Sequence, residues 1–404
     1  MHDSTAGYAG VDWATDGHAV CVVDEAGEVV AEFDVAHTGD GLAELCRRVK
    51  GSGVLRVAIE RPDGPVVDAL LGAGLEVVVV VSRSVKALRE RYGTSGNKAD
   101  RSDAYVLADC LRTDGHRWRS LEPDSPATVT LRAHVRARKD LVETRVGVAN
   151  QLRAHLRVVF PGAVGLFQDL DSPISLRFLE RFPSVTRAAW LTEKRLSAWL
   201  RANGYCGRKS AAELNARLIS APAGVGGDDG DARGAITLAY VTVLKTLRRQ
   251  IDELNTRLEE LLDAHPDAHI FRSLPRCATV RAASLLAEIG DCRARFPDAE
   301  SLACLAGVAP STRASGRHRS VTFRFSSDKK LRDALCDFAG DSWRGNAWAE
   351  TRYRQLRAQR KTHPHAERIL ARSWAHIIWR CWQHETPYDP ARHGGYQRLT
   401  AKAA

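Results

Sequence analysis

Four acidic residues, Asp12, Glu60, Asp100 and Asp103, stand where the strands and a helix of a small α/β fold would converge them. Gathered carboxylates repel one another unless a divalent cation neutralises them, and hard oxygen ligands of this kind suit Mg2+ or Mn2+. Two such ions about 4 Å apart can raise a nucleophile and hold a leaving oxygen, which is the chemistry of phosphodiester cleavage. Asp12, in Gly10-Val11-Asp12-Trp13, follows immediately on an apolar strand, so its carboxylate should emerge at the strand end. Glu60 closes the fourth predicted strand, and Asp100 and Asp103, at i and i+3 of a helix, share a face. Each acid alone reads as an exposed charge; the set carries the metal-binding reading.

A second constellation lies far along the chain, in the basic loop Thr312-Arg313-Ala314-Ser315-Gly316-Arg317-His318-Arg319. A serine hydroxyl is a weak nucleophile unless its proton is removed or its phosphate is made electrophilic. Arg313, Arg317 and Arg319 can clamp a phosphate and stabilise charge building at phosphorus, and Arg324, Lys329 and Lys330 extend the positive stretch. Ser-Gly is also a common turn, and Ser311, Ser320, Ser326 and Ser327 are local rivals, so these residues alone leave the choice open.

Periodicity gives the elements that must position these groups. Residues 1–125 read as β-β-β-α-β-α-β-α, with strands at Tyr8–Val11, Ala19–Val23, Val29–Asp34, Val54–Glu60 and Val77–Val81. Helices are expected at Gly41–Val49, Gly64–Gly72, Ser84–Tyr92 and Asp100–Arg112. This is the topology of ribonuclease-H-like nucleases. Residues 126–265 are helical, with a Gly/Asp-rich linker near 222–234. From about Ala232 to His265, Ile236, Tyr240, Val243, Leu247, Ile251, Leu254, Leu258 and Leu261 form a heptad seam with one slip. That is a coiled coil or paired helix, or else a long amphipathic helix packed within one chain. Residues 266–404 read as a compact, mainly α domain with the basic loop 310–328 between helices.

Charge separates the two ends. Residues 1–125 carry 14 Lys/Arg against 21 Asp/Glu, and residues 311–404 carry 19 against 8. An acidic head and a basic tail fit metal ions held at one end and phosphates at the other. The tryptophans among the tail arginines serve nucleic-acid stacking or the core of the last helices. Nine cysteines, an odd number without a Cys-x-x-Cys pair, read as buried reduced thiols. No apolar run approaches the roughly 20 residues of a membrane span, and the N-terminus lacks a signal-peptide pattern. A cytoplasmic location follows as the expectation.

With those motifs in view, the chain resembles the transposases of the insertion sequence 110 family, DEDD recombinases with a RuvC-like domain followed by a helical transposase domain. The matching segments are Gly10–Trp13, 58–64 around Glu60, Lys98–Ala104, 282–291 (AASLLAEIGD), Phe296, Leu302–Pro310 and Ser315-Gly316. The resemblance implies that Asp12, Glu60, Asp100 and Asp103 bind metal and that Ser315 attacks DNA to form a 5′-phosphoserine. It also implies donor and target DNA as substrates, a guiding bridge RNA, and a homo-oligomer, dimer or tetramer, that joins the two sites from different protomers. Two segments depart from the family pattern. Leu274-Pro275-Arg276-Cys277-Ala278 replaces a Leu-Pro-Gly-x-Gly turn, and Val321–Lys329 replaces Gly-x-x-x-Lys-x-Gly.

Three rival readings remain. A metal-dependent RuvC-like junction nuclease would need the four acids but not Ser315. An actin-like ATPase would need a second phosphate loop, and Gly224–Asp228 is not preceded by a strand. A nucleic-acid scaffold would tolerate loss of any one carboxylate.

Overall fold

The first three strands form because short turns fold an apolar chain back on itself. The computed structural model describes residues 7–80, 85, 100–316 and 318–403. Strands β1 (Gly7–Trp13), β2 (Gly17–Val23) and β3 (Val29–Ala36) make an antiparallel ladder. In the β2–β3 turn Asp24 Oδ1 accepts the N–H groups of Ala26 and Glu28, each at 2.9 Å, while Gly27 takes φ +91°. Strands β4 (Val54–Ile59) and β5 (Glu76–Val79) add in parallel to give the order β3-β2-β1-β4-β5. Parallel pairing needs crossovers, supplied by α1 (Gly39–Gly51) and α2 (Pro65–Gly72).

These two helices cover one face of the sheet, where Val11, Val57 and Ile59 pack with Leu45, Val49 and Leu70. Helix α3 (Asp100–Asp114) covers the other, packing Leu107 and Leu111 on Ala58 and Val78. Burial on both faces explains why β4 and β5 read as continuous apolar runs. The crossing of α3 over β1 is fixed at Gly10, where a Cβ would stand 2.1 Å from the Ala104 carbonyl oxygen and 2.5 Å from the Ala108 nitrogen. Only glycine lets the helix approach this closely. Apart from the buried Val85, the helix expected at Ser84–Tyr92 lies outside the described residues.

A second compact unit begins at Asp124. Helix α4 (Pro126–Val159) starts at Ser125, whose hydroxyl accepts the Thr128 N–H, with proline at the first helical position. After α5 (Pro173–Arg181), α6 (Val185–Ala188), α7 (Glu193–Ala202) and α8 (Ala211–Ser220) comes the 37-residue α9 (Gly227–Asp263). The two long helices pair antiparallel within the chain. Thr128 Oγ1 meets His265 Nε2 at 2.8 Å, Arg138 donates to Asn255 at 2.5 Å, and His155 Nε2 meets Thr237 Oγ1 at 3.1 Å.

Two sequence expectations about α9 need correction. Of the stretch expected as a linker at 222–234, only the residues before Gly227 are non-helical. Asp228 and Asp229 in the first turn favour the positive end of the helix dipole. Gly230, whose Cβ would meet the Val225 carbonyl oxygen at 2.4 Å, gives the close fit that glycine permits. Of the expected seam, Ile251 and Leu258 are buried, but Ile236 and Val243 are 48% and 47% exposed. Thr237, Val241 and Leu244 take the inner positions. A straight helix drifts away from a strict seven-residue repeat, and a buried threonine escapes a search for apolar residues.

The remaining helices are α10 (Ala268–Arg272), α11 (Thr279–Ile289), α12 (Ala299–Leu305), α13 (Lys329–Ser342), α14 (Ala347–Ala358), α15 (His363–Gln383) and α16 (Gly394–Ala403). Their core includes Leu131 and Val135 of α4 and Leu258 and Leu262 of α9. Trp374 and Trp382 are fully buried there and donate their indole N–H groups to Ser342 Oγ and the Gly290 carbonyl, both at 2.9 Å. Those two tail tryptophans are therefore core. Cys21, Cys110 and Cys277 are buried thiols, and burial pushes Cys277 up to about 12, whereas Cys206 is exposed. Among the described residues no helix is long and apolar enough to cross a membrane.

A buried ionic network ties this unit together. The Asp124 carboxylate pairs with Arg132 and, at 2.8 Å, with Arg295, and accepts the Asp291 N–H at 3.1 Å. Arg293 grips Asp267 through two bonds of 2.7 Å, and Arg136 grips Glu288 at 3.0 and 2.8 Å. Forked arginine–carboxylate pairing fixes geometry as well as charge.

Candidate functional site

Asp12 is the sixth residue of the seven-residue β1, opposite Ala19 of β2, rather than beyond the strand as its sequence suggests. Side chains alternate along a strand, so Asp12 shares the face of Gly10, which is the face under α3. Glu60 is the residue just after β4, which ends at Ile59 rather than at Glu60, two positions beyond Ala58 of the layer under α3. The parallel register pairs Val11 with Ile59, so Asp12 and Glu60 are the next residues of adjoining segments, at one end of the sheet. Asp103, only 3% exposed, lies on α3 immediately before Ala104, whose carbonyl abuts Gly10. The structure thus brings Asp12, Glu60 and Asp103 to one end of the β1–β4–α3 layer.

Asp100 opens α3, and its side chain lies outside the described residues. Among the described residues no group of three or more acidic, histidine or cysteine side chains stands in metal-holding geometry. Around the acids, the Arg61 guanidinium lies 4.1 Å from the Trp13 ring centroid and donates to Asp63 at 3.1 Å. Arg101 ties the first turn of α3 to Asp34 of β3 at 2.8 Å.

The basic loop proves to be a hairpin, β6 (Ser311–Ser315) and β7 (His318–Thr322). Its strands are exposed on both faces, so no apolar alternation betrays them in the sequence. Gly316, at φ +55°, supplies the left-handed residue that a two-residue hairpin turn requires. Ser315 is exposed, the last residue of β6, and pairs directly with His318. Cross-strand partners share a face, so Ser315, His318, Arg313 and Ser320 lie on one side. Arg319, opposite Ala314, is on the other, so it does not flank Ser315 as expected from proximity in sequence. Arg317 lies outside the described residues.

In the sequence His318 is one more basic residue of the loop. The signal that would have found it is the two-residue turn, because in such a hairpin positions i and i+3 face each other. Lys329 and Lys330 are exposed at the start of α13, whose cap is the Asp328 carboxylate. The Arg324 guanidinium is half-buried and turned back toward the carbonyls of Ala309 and Pro310. Arg276, at the departure from the family turn, has φ +55° and donates to Asp341 at 3.0 Å. Its left-handed backbone is the reason a glycine suits this position, and its charge is engaged within the protein.

Comparison with known proteins adds the decisive observation. A family model described as "Transposase" (DEDD_Tnp_IS110) matches residues 9–161, and one described as "Transposase IS116/IS110/IS902 family" matches residues 268–354. The Streptomyces coelicolor A3(2) mini-circle protein assigned as transposase for IS117 is 32% identical over 96% of this chain and 97% of its own. This chain belongs to the IS110 family of transposases. Two further relatives are the uncharacterised 42 kDa protein of insertion element IS900 from Mycobacterium paratuberculosis and the uncharacterised 44.8 kDa protein of IS116 from Streptomyces clavuligerus. They are 26% and 25% identical, each over 95% of this chain and over 97% and 96% of their own length. Within this IS110-family transposase, all four acids fall in the first matched segment, and Ser315 with its hairpin falls in the second.

Proposed function

We propose that this transposase cleaves and exchanges DNA strands through a 5′-phosphoserine formed on Ser315, assisted by a divalent-metal site at Asp12, Glu60, Asp100 and Asp103. The observation that carries the reading is the presentation of Ser315 at an exposed hairpin tip, with Arg313 and His318 on its face. The serine Oγ attacks the DNA phosphorus as its proton passes to the imidazole of His318, the cross-strand partner of Ser315. The P–O3′ bond breaks, and the leaving oxygen departs with its electron pair and takes a proton from water. Arg313 stabilises charge on the non-bridging oxygens. Attack by a 3′-hydroxyl of the other strand on the phosphoserine reverses these changes, frees Ser315 and completes the exchange.

The acid end of the first unit supports the metal proposal through its donor set. Asp12 and Glu60 adjoin on neighbouring strands, Asp103 is on the helix above them, and all offer hard oxygens. When bound there, Mg2+ or Mn2+ supplies Lewis-acid stabilisation of the charge that develops in phosphodiester cleavage. The strand order, with an antiparallel β1–β2–β3 meander and parallel β4 and β5, supports a RuvC-like fold for this part.

The reading takes the enzyme as a homo-oligomer, a dimer or tetramer, guided to donor and target DNA by a structured bridge RNA. Exposed Ile236, Leu238 and Val243 on α9 support coiled-coil contact between copies, and the exposed cations Arg313, Arg319, Lys329 and Lys330 support nucleic-acid contact. Incubation of the protein with labelled element-end DNA and the flanking RNA tests the reading. A denaturation-resistant protein–DNA species is expected from the unmodified chain and not from Ser315→Ala. Cleavage that survives Ser315→Ala would support the plain nuclease instead.

A further inference from the structure

Just beyond the hairpin, Phe325 stands 79% exposed. Single exposed apolar residues are ordinary on protein surfaces, so exposure alone says little; the way this ring is held says more. Phe325 meets Phe323 edge-on, with centroids 4.9 Å apart and planes at 90°. Phe323 is in turn fixed by two guanidinium groups, Arg332 at 4.6 Å and Arg368 at 4.4 Å from its centroid. Arg332 also donates to the Arg324 carbonyl at 3.1 Å and to Ser327 Oγ. Phe323 is therefore a pedestal clamped by α13 and α15, and Phe325 is the outer step of a preorganised aromatic pair.

The surrounding charge selects the occupant. Residues 311–330 hold six lysines and arginines against a single acid, Asp328. An exposed aromatic ring in so cationic a segment suits a polyanion whose units carry π-faces better than it suits an apolar protein surface. Exchanging strands requires bases near the cleaved phosphate to leave the duplex. The geometry points to Phe325 as a stacking platform for an unpaired nucleobase beside the phosphate engaged by the hairpin. This inference rests on the reading that the hairpin acts on DNA. It requires neither Ser315 as nucleophile nor the metal site.

The test uses the full-length protein and two duplexes of one sequence, one fully paired and one with a single unpaired 2-aminopurine. Anisotropy reports binding, and 2-aminopurine emission reports stacking. The unmodified protein is expected to prefer the bulged duplex by about tenfold, within the range of stacking on one aromatic side chain, and to quench the probe. Phe325→Ala should lose the preference and the quenching while binding the paired duplex as before, and Phe325→Trp should keep both. Equal affinity of the unmodified protein for the two duplexes, with Phe325→Ala indistinguishable from it, would overturn the inference and leave the DNA reading intact. So would a change of oligomeric state in Phe325→Ala with base preference unaltered, since the ring would then serve a protein contact. Failure to bind either duplex would overturn the DNA reading and the stacking inference together.

Discussion

At the scale of the residue, the hairpin tip and the carboxylate cluster make different demands. Ser315 needs its proton removed, and His318 is the imidazole across from it. His318→Gln should lower adduct formation by about 10²- to 10⁴-fold, the usual worth of a positioned general base. Retention of the rate in His318→Gln would remove His318 from the mechanism while leaving Ser315 in place. For the acids, Asp12→Asn should weaken Mn2+ binding measured by calorimetry without DNA, and unchanged binding would argue against the metal site. Asp12, Glu60 and Asp100 could be singled out in the sequence because they stand near strand ends or open a helix. His318 could not, because its partnership exists only once the chain turns back.

Elements decide whether those residues meet. Gly10 sets the distance between β1 and α3, so Gly10→Val must displace the helix or the strand. A loss of about 3 kcal/mol is expected from overpacking at this contact, together with weaker Mn2+ binding as Asp103 shifts. Denaturant unfolding and the same calorimetry check both, and wild-type values for either would show that α3 does not set the site. The strands of the sheet were readable because burial leaves an apolar pattern. Strands β6 and β7 were not, since they bury nothing and, apart from Ala314 and Val321, consist of Ser, Thr, Arg and His. Helix α9 was legible as a helix but not in its facing, because Gly230, Gly234 and Thr237 line its inner side.

Across the whole molecule, buried ionic and polar groups link folding to pH. His265 is 4% exposed, and its Nδ1 accepts the Asp267 N–H at 3.1 Å, which leaves Nε2–H to donate to Thr128. Burial holds this imidazole below its ordinary value of 6.5, against the pull of Asp267 and Asp291. The neutral form is therefore the folded form, so its contribution is complete above pH 6.5 and is lost as pH falls through the lower folded value. Buried His18 and half-buried His155 are shifted the same way. The melting temperature should fall between pH 7.5 and 5.5, and less steeply in His265→Leu. An equal fall in that variant would exclude His265 as a contributor.

Asp124→Ala strands Arg132 and Arg295 and should cost about 3–5 kcal/mol, read by denaturant unfolding. None of this network was evident in the sequence, because its partners are up to 171 positions apart, as Asp124 and Arg295 are.

Peptide mapping of the covalent species tests the central claim most directly. Trypsin cleavage after Arg313 and Arg317 isolates Ser315 in the tetrapeptide Ala314-Ser315-Gly316-Arg317, while Ser311 falls on the preceding peptide. After nuclease digestion of the trapped DNA, the account predicts that mass spectrometry finds a 5′-linked nucleotide on that tetrapeptide. A nucleotide on any other peptide, or cleaved DNA with every peptide unmodified, would contradict it.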